Sequence, residues 1–302
     1  MRIGLLGTGP WARMAHAPAL DGHPDVEFTG VWGRRPEAAR ELAALHGVRA
    51  YGDVDALYAD VDAVAVALPP GVQAESAVRA ARAGCHLLLD KPLAPTVAQG
   101  RAVVEAAAEA RVASVVFFTT RFQPGPQEWI TEQARVGGWF TGRAQWLGAV
   151  FTAGDSPFAA SAWRREKGAL WDVGPHALSV LLPVLGDPRR VTAAAYGPGD
   201  TVHLVLDHAS GASSSLTLSL TAPPAAAGAA VELRGESGVT HLPEATDGPV
   251  PALTRALDAL LTAAATGTAH PCDAAFALRV TETLATAEAL LRDGTPRPGA
   301  GA

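Results

Sequence analysis

The chain has 302 residues, of which 48% are hydrophobic, and this length is sufficient for two domains with their own buried cores. Its formal net charge of −6 gives no basic surface for a nucleic-acid backbone, and no apolar run reaches the ~18 residues that a membrane helix needs. Since a strand-like segment also follows Met1 directly, where a signal peptide would stand, we expect a cytoplasmic protein without nucleic-acid or membrane partners.

The first part of the chain alternates short aliphatic runs with alanine-rich helical stretches, a pattern typical of βαβ units and a parallel sheet. Strands are predicted at residues 3–6, 26–32, 63–67, 86–89 and 114–119, with a minor strand at 49–51. Pro36 and Gly47 mark the two ends of one intervening helix, and Gly84 ends a helix over residues 73–83. These features predict a Rossmann-type, doubly wound dinucleotide-binding domain over residues 1–120.

A glycine-rich segment lies between the first predicted strand and the helix after it. Its sequence, Gly7-Thr8-Gly9-Pro10-Trp11-Ala12, matches G-x-G-x-x-A. Glycines let the backbone approach a pyrophosphate, and the following helix start supplies N–H groups and a positive dipole. We therefore interpret the segment as the pyrophosphate-binding loop of a nicotinamide dinucleotide site; a tight turn without a ligand is the alternative.

The tip of the second predicted strand bears on the choice between NAD and NADP. A carboxylate there would bind the adenosine ribose diol and repel a 2′-phosphate. This chain instead has Gly33-Arg34-Arg35, and the nearest acid, Glu37, falls in the next helix. Because arginines bind phosphates through charge-assisted hydrogen bonds, we predict NADP as the preferred cofactor and NAD as the alternative. The structural alternative is that Arg34 and Arg35 are solvated loop residues that bind no phosphate.

The second half of the chain has a different pattern. Residues 201–207, 213–221, 231–234 and 239–242 alternate as antiparallel strands do, and turn residues separate them. An apolar helix is predicted near residues 171–185, with two more near 252–265 and 273–291. The tail from Thr295 has too little apolar content to order itself. A sheet-rich second domain is therefore expected over residues 121–302.

Three further motifs occur in order along the chain: Leu68-Pro69-Pro70, Asp90-Lys91-Pro92 and Asp172-Val173-Gly174-Pro175-His176. Together with the glycine loop, they resemble the Gfo/Idh/MocA family, named after glucose-fructose oxidoreductase and inositol dehydrogenase. The resemblance implies an N-terminal Rossmann fold and a C-terminal α/β domain with a large, mainly antiparallel open sheet. It also implies a homodimer or homotetramer packed through that sheet. The second domain would therefore serve substrate binding and oligomerisation. Among the cofactor-binding positions it adds Leu68, Pro69, Pro70, Asp90 and Lys91.

The same resemblance implies that Lys91, Asp172 and His176 are catalytic and bind substrate. Lys91 follows a strand at the carboxyl edge of the sheet, where an ammonium can donate to a reacting oxygen. If both are helical, Asp172 and His176 share one face of a helix that begins near Trp171, with Asp172 orienting the imidazole and His176 exchanging a proton. The family also implies a cis bond between Lys91 and Pro92. A surface lysine, a helix N-cap aspartate and a packed histidine are the structural alternatives.

Some positions depart from the family pattern. Ser179 stands where many members carry an aspartate three residues after the histidine, which leaves the substrate class open. Gln73 replaces a common histidine, and Asp90 replaces the commoner glutamate. Three further positions match residues that often contact substrate in the family: Arg121, Trp163 and Arg164. The structural alternatives are an ion pair between the domains and a packed aromatic side chain.

The cysteines and the remaining histidines indicate no metal site. Cys85 and Cys272 lie in different halves without a CxxC motif, which fits a reducing compartment. His203 and His208 are an odd number of residues apart on one alternating stretch, so they face opposite sides of a strand. His16, on the helix after the glycine loop, is interpreted as structural.

The residues and the resemblance together predict an NAD(P)-dependent oxidoreductase acting on a sugar-like or other small alcohol or carbonyl substrate. Two alternatives remain open at this point. An NAD-dependent glycosidase of the same family would need a retained cofactor, for which the two arginines at the strand tip are a poor match. A non-catalytic dinucleotide-binding regulator would have no use for Lys91, Asp172 and His176, although Ser179 keeps that possibility open.

Overall fold

The computed structural model describes residues 1–154 and 156–294, which form two compact units. The first unit consists of Met1–Phe122 and Thr246–Leu278, and the second consists of Gln123–Ala245 with the chain from Arg279. The boundary predicted at residue 120 lies close to the first crossing between the units. The prediction placed Thr246–Leu278 in the second domain, whereas this segment belongs to the first unit. The tail predicted from Thr295 lies outside the described residues.

The first unit is built on a six-stranded sheet in the order β3-β2-β1-β4-β5-β6. Its strands are β1 Arg2–Leu6, β2 Glu27–Trp32, β3 Arg49–Tyr51, β4 Ala63–Val66, β5 His86–Asp90 and β6 Ser114–Phe117. Every pairing in it is parallel. This order is the Rossmann order, which confirms the predicted fold of the N-terminal domain.

Helices connect these strands in the order that the sequence pattern predicts. A π-helical turn, Ala12–His16, leads into α1 Ala17–Asp21; the others are α2 Pro36–Leu45, α3 Val54–Asp60, α4 Pro70–Arg82 and α5 Val97–Ala110. Pro36 occupies the first turn of α2, as expected for a residue without an N–H group. All four residues of β4 are buried, as is typical of a parallel sheet covered by helices on both faces.

The segment that returns to the first unit contains α9 Pro249–Thr266 and the start of α10 Ala274–Gly294. Helix α9 contacts β5, β6 and α1. The N–H of Val116 on β6 donates to the carbonyl of Cys272 at 2.7 Å, and the N–H of Ala274 donates to Ser114 Oγ at 3.1 Å. These contacts cover the β6 end of the sheet, which would otherwise be an exposed edge.

The second unit contains a six-stranded sheet in the order β12-β11-β7-β10-β9-β8. Its strands are β7 Trp139–Leu147, β8 Pro188–Tyr196, β9 Val202–His208, β10 Ser213–Ser219, β11 Gly228–Gly235 and β12 Gly238–His241. Strands β7 and β10 pair in parallel, and the other pairs are antiparallel. The mainly antiparallel sheet is therefore confirmed, although β7 and β8 were not predicted.

Helices α6 Pro124–Val136, α7 Ala162–Asp172 and α8 Gly174–Leu185 complete the second unit with the later part of α10. The apolar helix predicted near residues 171–185 corresponds to α8 and the end of α7. Val173 between them keeps helical backbone dihedrals, and the non-helical residue of this segment is Gly168, with φ +64° inside α7. By length and composition Ala162–Leu185 could cross a membrane, but 89% of its most apolar window is buried within the fold. This burial is typical of a core segment.

Candidate active site

The glycine loop is held against the ends of β2 and β4, the two strands that flank β1. The N–H of Gly7 donates to the carbonyl of Trp32 at 2.8 Å. Gly7 has φ +126°, and a Cβ on it would lie 2.3 Å from the carbonyl oxygen of Ala67, so only glycine fits here. At Gly9, by contrast, no atom lies within 4 Å of the Cβ position. The loop is thus closed on the sheet side and open at Gly9, which fits the close approach of a pyrophosphate.

The predicted cofactor residues come together at one edge of the sheet. Because all six strands are parallel, their carboxyl ends share that edge: Gly33 follows β2, Leu68 to Pro70 follow β4, and Lys91 follows β5. Strand β1 lies between β2 and β4, so the strand order reverses beside the glycine loop. Ligands of open α/β sheets bind at the carboxyl edge where this reversal occurs.

A groove of about 540 Å³ lies beside the glycine loop. It is lined by Thr8, Gly9, Pro10, Arg13, Met14, Arg35, Glu37, Ala38 and Glu41. Arg34 and Arg35 are both exposed, and Arg35 lines this groove, whereas Arg34 does not. Two arginines and two carboxylates face the same groove.

Arg13 and Glu41 are groove residues that the motif analysis missed. Arg13 Nη2 lies 3.3 Å from a carboxylate oxygen of Glu41, and its Nε donates to the carbonyl of Thr8 at 3.2 Å. The N–H of Arg13 donates to the carbonyl of Gly9, so the two residues are one helical turn apart. This four-residue spacing from the glycine loop is the sequence feature that could have identified Arg13. A basic side chain one turn after the glycine loop is thereby directed back to it.

Lys91 lies in a short loop between β5 and α5. Its peptide bond to Pro92 is cis, as the resemblance implied. Its own N–H donates to Asp90 Oδ1 at 2.7 Å. On the other side of that carboxylate, Asp90 Oδ2 lies 3.9 Å from Nε2 of His16, a fully buried residue that packs edge-on against Phe117. This burial agrees with the structural interpretation of His16.

Asp172 and His176 are both helical, as the shared-face prediction requires. Val173 between them keeps right-handed helical dihedrals (φ −104°, ψ −19°), and its N–H donates to the carbonyl of Ala169 at 3.0 Å. Asp172 is the last residue of α7, and His176 lies in the first turn of α8. The N-cap alternative for Asp172 is wrong, because the N-cap positions of α7 and α8 are Ser161 and Val173. Asp172 is 5% exposed and accepts a hydrogen bond from Arg164 Nε at 2.9 Å, which supplies a positive charge to a buried carboxylate.

The imidazole of His176 is stacked on an aromatic ring. The ring centroids of His176 and Trp146 are 5.4 Å apart, and the planes are inclined by 10°. Trp146 belongs to β7, a strand that the sequence pattern did not reveal. Ser179, at the position of the usual aspartate, is fully buried, and its Oγ donates to the carbonyl of His176 at 2.7 Å. The serine therefore binds the backbone of its own helix.

The three predicted substrate-contacting residues fall in different surroundings. Arg164 lies 4.8 Å above the ring of Phe158 and 5.9 Å from the ring of Trp163, in addition to its ion pair with Asp172. Together these residues form a charged and aromatic cluster in the second unit. Arg121 belongs to the first unit, where its guanidinium lies 5.7 Å from the ring centroid of Phe276.

Among the other titratable side chains, His208 and both cysteines are buried. His208 is buried between the carbonyl of Gly186 and Ser214 Oγ, at 2.7 Å from each, and burial lowers its pKa. His203 is exposed on the opposite face of β9, as predicted. Burial raises the pKa of the thiols of Cys85 and Cys272 to about 11, so both are protonated at neutral pH.

Two protein-family models match the chain. Residues 1–118 match a model described as an oxidoreductase family with an NAD-binding Rossmann fold. Residues 141–241 match a model described as the GFO/IDH/MocA C-terminal domain.

Two of the curated relatives match 74% and 42% of the chain. The D-xylose 1-dehydrogenase (NADP(+)) 2 of Haloferax volcanii is 30% identical over 240 residues, which cover 74% of this chain and 70% of the relative. The 4-carboxy-2-hydroxymuconate-6-semialdehyde dehydrogenase of Sphingobium sp. is 35% identical over 130 residues, or 42% of this chain and 41% of the relative. The chain spans about half the length of the leading curated relatives, at 54% and 41%.

Solved structures share the fold over nearly the whole chain. A levoglucosan dehydrogenase in complex with NADH and levoglucosan superposes with a TM-score of 0.82 at 20% identity, covering 97% of each chain. This similarity confirms that the two folds occur in one polypeptide in the same order.

Proposed function

Because the chain belongs to the Gfo/Idh/MocA family of oxidoreductases, we propose that it is an NAD(P)-dependent oxidoreductase acting on a sugar-like or other small alcohol or carbonyl substrate. One observation carries this proposal: the glycine loop, the tip of β2 and Lys91 share the carboxyl edge of one parallel sheet. That arrangement supports a cofactor and a proton-donating side chain at the same edge.

The residues of the first unit fit a dinucleotide. The backbone N–H groups around Gly9 would bind the pyrophosphate, since the space beside them is open. Arg35 would bind a 2′-phosphate in the groove beside the loop. The tip of β2 has glycine where a carboxylate would select NAD, so NADP is the proposed preference.

The bound cofactor supplies the group that accepts a hydride from the substrate carbon or returns it. The Lys91 ammonium donates a hydrogen bond to the substrate oxygen, which favours alkoxide character as the hydride leaves. His176 takes the hydroxyl proton during oxidation and gives it back during reduction. Asp172 is proposed to support the histidine, and its ion pair also fixes Arg164, a proposed substrate contact.

The test is a panel of sugars, cyclitols, aldehydes and imines, assayed by nicotinamide absorbance with NAD and NADP. On the best substrate, Lys91→Ala and His176→Ala should each lower kcat at least ~10²-fold, with little change in dinucleotide affinity. Lys167→Ala is the matched control, because Lys167 is the other lysine of the chain and its ammonium pairs with Glu288. Full activity in either variant would reject the assignment, and sugar release from a nitrophenyl glycoside without net cofactor change would favour a glycosidase.

The second-unit sheet is the proposed surface for a homodimer or homotetramer. Arg143, Ser215 and Val205 stand in register on three neighbouring strands and are exposed on one face, whereas Ala144, Leu216 and Leu204 beside them are buried on the other. A second copy would cover this open face. Light scattering after size exclusion tests the proposal, and Val205→Asp should shift the protein toward the monomer.

We also place the protein in the cytoplasm. The support is its two buried free cysteines, which suit a reducing compartment. Fractionation of the cells that produce it would test this location.

A further inference from the structure

Gln73 is a buried amide that contacts the loop carrying Lys91. It is 1% exposed and lies in the first turn of α4. Its Nε2 donates to the carbonyl of Asp90 at 2.7 Å, with the carbonyls of Pro92 and Leu93 at 3.1 and 3.3 Å. Its Oε1 accepts the N–H of Asp90 at 2.9 Å. One side chain thus binds backbone groups on both sides of Lys91.

From these contacts we propose that Gln73 is a positioning residue for Lys91, because its amide fixes the backbone before and after the lysine. The inference rests on the proposed function, in which Lys91 donates to the substrate oxygen. The family resemblance indicated only that Gln73 replaces a common histidine, and the contacts assign it a role.

The amide group is suited to this task, and few side chains could replace it. An amide supplies two N–H donors and one carbonyl acceptor, so it can satisfy two carbonyls fully, share with a third, and accept an N–H at the same time. The buried peptide groups around Lys91 need such partners, because an unpaired buried polar group costs about 1–3 kcal/mol. A methionine of similar size would fill the space and provide neither donor nor acceptor.

Gln73 is itself held firmly. Its N–H donates to the carbonyl of Pro69 at 2.9 Å, and α4 begins at Pro70. Pro69 and Pro70 are among the proposed cofactor-binding residues that follow β4. The side chain of Gln73 therefore links the backbone of this cofactor-binding segment to the backbone around Lys91, and both are anchored at the same edge of the sheet.

The consequence is specific to turnover. A hydrogen bond to the reacting oxygen requires accurate placement, and an error of about 1 Å can cost about 10²-fold in rate. Loosening the loop should therefore lower kcat more than it weakens dinucleotide binding, since the glycine loop and the β2 tip keep their own contacts. A merely structural residue would lower the stability and leave the activity of the folded fraction unchanged.

The experiment is a double-mutant cycle with Gln73→Met, Lys91→Ala and the double variant, measured as full-length protein. Gln73→Met should lower kcat about 10- to 100-fold, with dinucleotide Kd changed less than about twofold. If Gln73 acts through Lys91, the double variant should be no slower than Lys91→Ala alone. Gln133→Met makes the same change at another buried amide, on α6, and should leave kcat unchanged.

A readout without turnover accompanies the cycle. Hydrogen exchange at the N–H of Asp90 should speed up in Gln73→Met, because its acceptor is lost. If Gln73→Met does not fold, Gln73→His replaces it in the same cycle. That side chain offers one N–H donor for the same carbonyls, so we expect a kcat between those of the parent and Lys91→Ala.

Three results would overturn the inference. A normal kcat in the Gln73 variant beside a slow Lys91→Ala rejects the positioning role and leaves the proposed function intact. Multiplied losses in the double variant show that Gln73 does not act through Lys91. Full activity of Lys91→Ala rejects the catalytic role of the lysine and, with it, the role of Gln73.

Discussion

The imidazole of His176 and the indole of Trp146 lie nearly parallel, inclined by 10° with centroids 5.4 Å apart. A stacked ring restricts rotation of the imidazole about χ2 and fixes the directions in which its two nitrogens point. For a histidine that exchanges a proton with substrate, this direction decides whether the proton can be transferred.

Trp146→Leu should therefore lower kcat/KM about 10-fold, because the imidazole loses its stacking partner and samples unproductive orientations. Trp146→Phe keeps an aromatic face and should retain most of the activity. Thermal unfolding of both variants shows whether the fold is maintained. Equal activity of Trp146→Leu and the parent would contradict a positioning effect of the stack.

The glycine loop provides a second prediction. Gly7→Ala should abolish dinucleotide binding and destabilise the first unit by a few kcal/mol, since its Cβ would lie 2.3 Å from the carbonyl oxygen of Ala67 at a φ that alanine avoids. Fluorescence titration with NADPH and urea unfolding measure the two effects. Gly52→Ala is the control, because nothing lies within 4 Å of its Cβ position; similar behaviour of the two variants would refute the packing argument.

Cofactor choice should depend on the groove residues. Arg35→Ala should reduce the ratio of kcat/KM for NADP to that for NAD by about 10-fold, since a charge-assisted phosphate contact is lost. Arg34→Ala, at the neighbouring position that does not line the groove, should have a smaller effect. Glu41→Gln should raise the ratio, because it removes a carboxylate from the groove and releases Arg13 from its ion pair. If none of the three changes affects the ratio, the 2′-phosphate of NADP binds outside this groove.

The stability of the protein should fall as the pH drops below about 6.5, the usual pKa of histidine. Burial lowers the pKa of His208, so between about pH 6.5 and its lower folded pKa the unfolded chain binds a proton that the folded chain does not. Stability is therefore present above this window and is lost as the pH falls through it. Burial also lowers the pKa of His86 and His270, which add to the effect.

Replacing His208 tests this linkage. Urea unfolding from about pH 5 to 7.5 should give a shallower pH dependence for His208→Gln than for the parent, by up to about 1.4 kcal/mol per pH unit. His203→Gln makes the same change on the exposed face of β9 and should leave the slope as it is. An unchanged slope in His208→Gln would show that this histidine does not contribute.

The Rossmann unit could be predicted from the sequence because its signals are local. Pro36 at a helix start, Gly47 after a helix end and the glycine loop after β1 each specify a backbone conformation by their own chemistry. The strand over residues 49–51 was predicted with the bounds that the structure has. Lys91 and Asp90 could be placed at the carboxyl edge because parallel strands fix which ends meet.

The features that were missed depend on contacts distant in sequence. Strand β7 carries Trp139, Gly142 and Gln145 among other residues with mixed pattern, and it is identified as a strand by its neighbours β10 and β11. Its Trp146 therefore gave no sign of the stack on His176. The role proposed for Gln73 required the distances to the Lys91 loop.

The return of Thr246–Leu278 to the first unit has a consequence for biosynthesis. A ribosome adding about 5–20 residues per second releases the strands of the Rossmann sheet several seconds or more before α9, which packs on β5 and β6, has been made. During that interval the nascent chain exposes apolar surface that α9 later covers. Molecular chaperones are expected to bind this surface. A polypeptide truncated at residue 120 would keep that surface permanently uncovered and should aggregate.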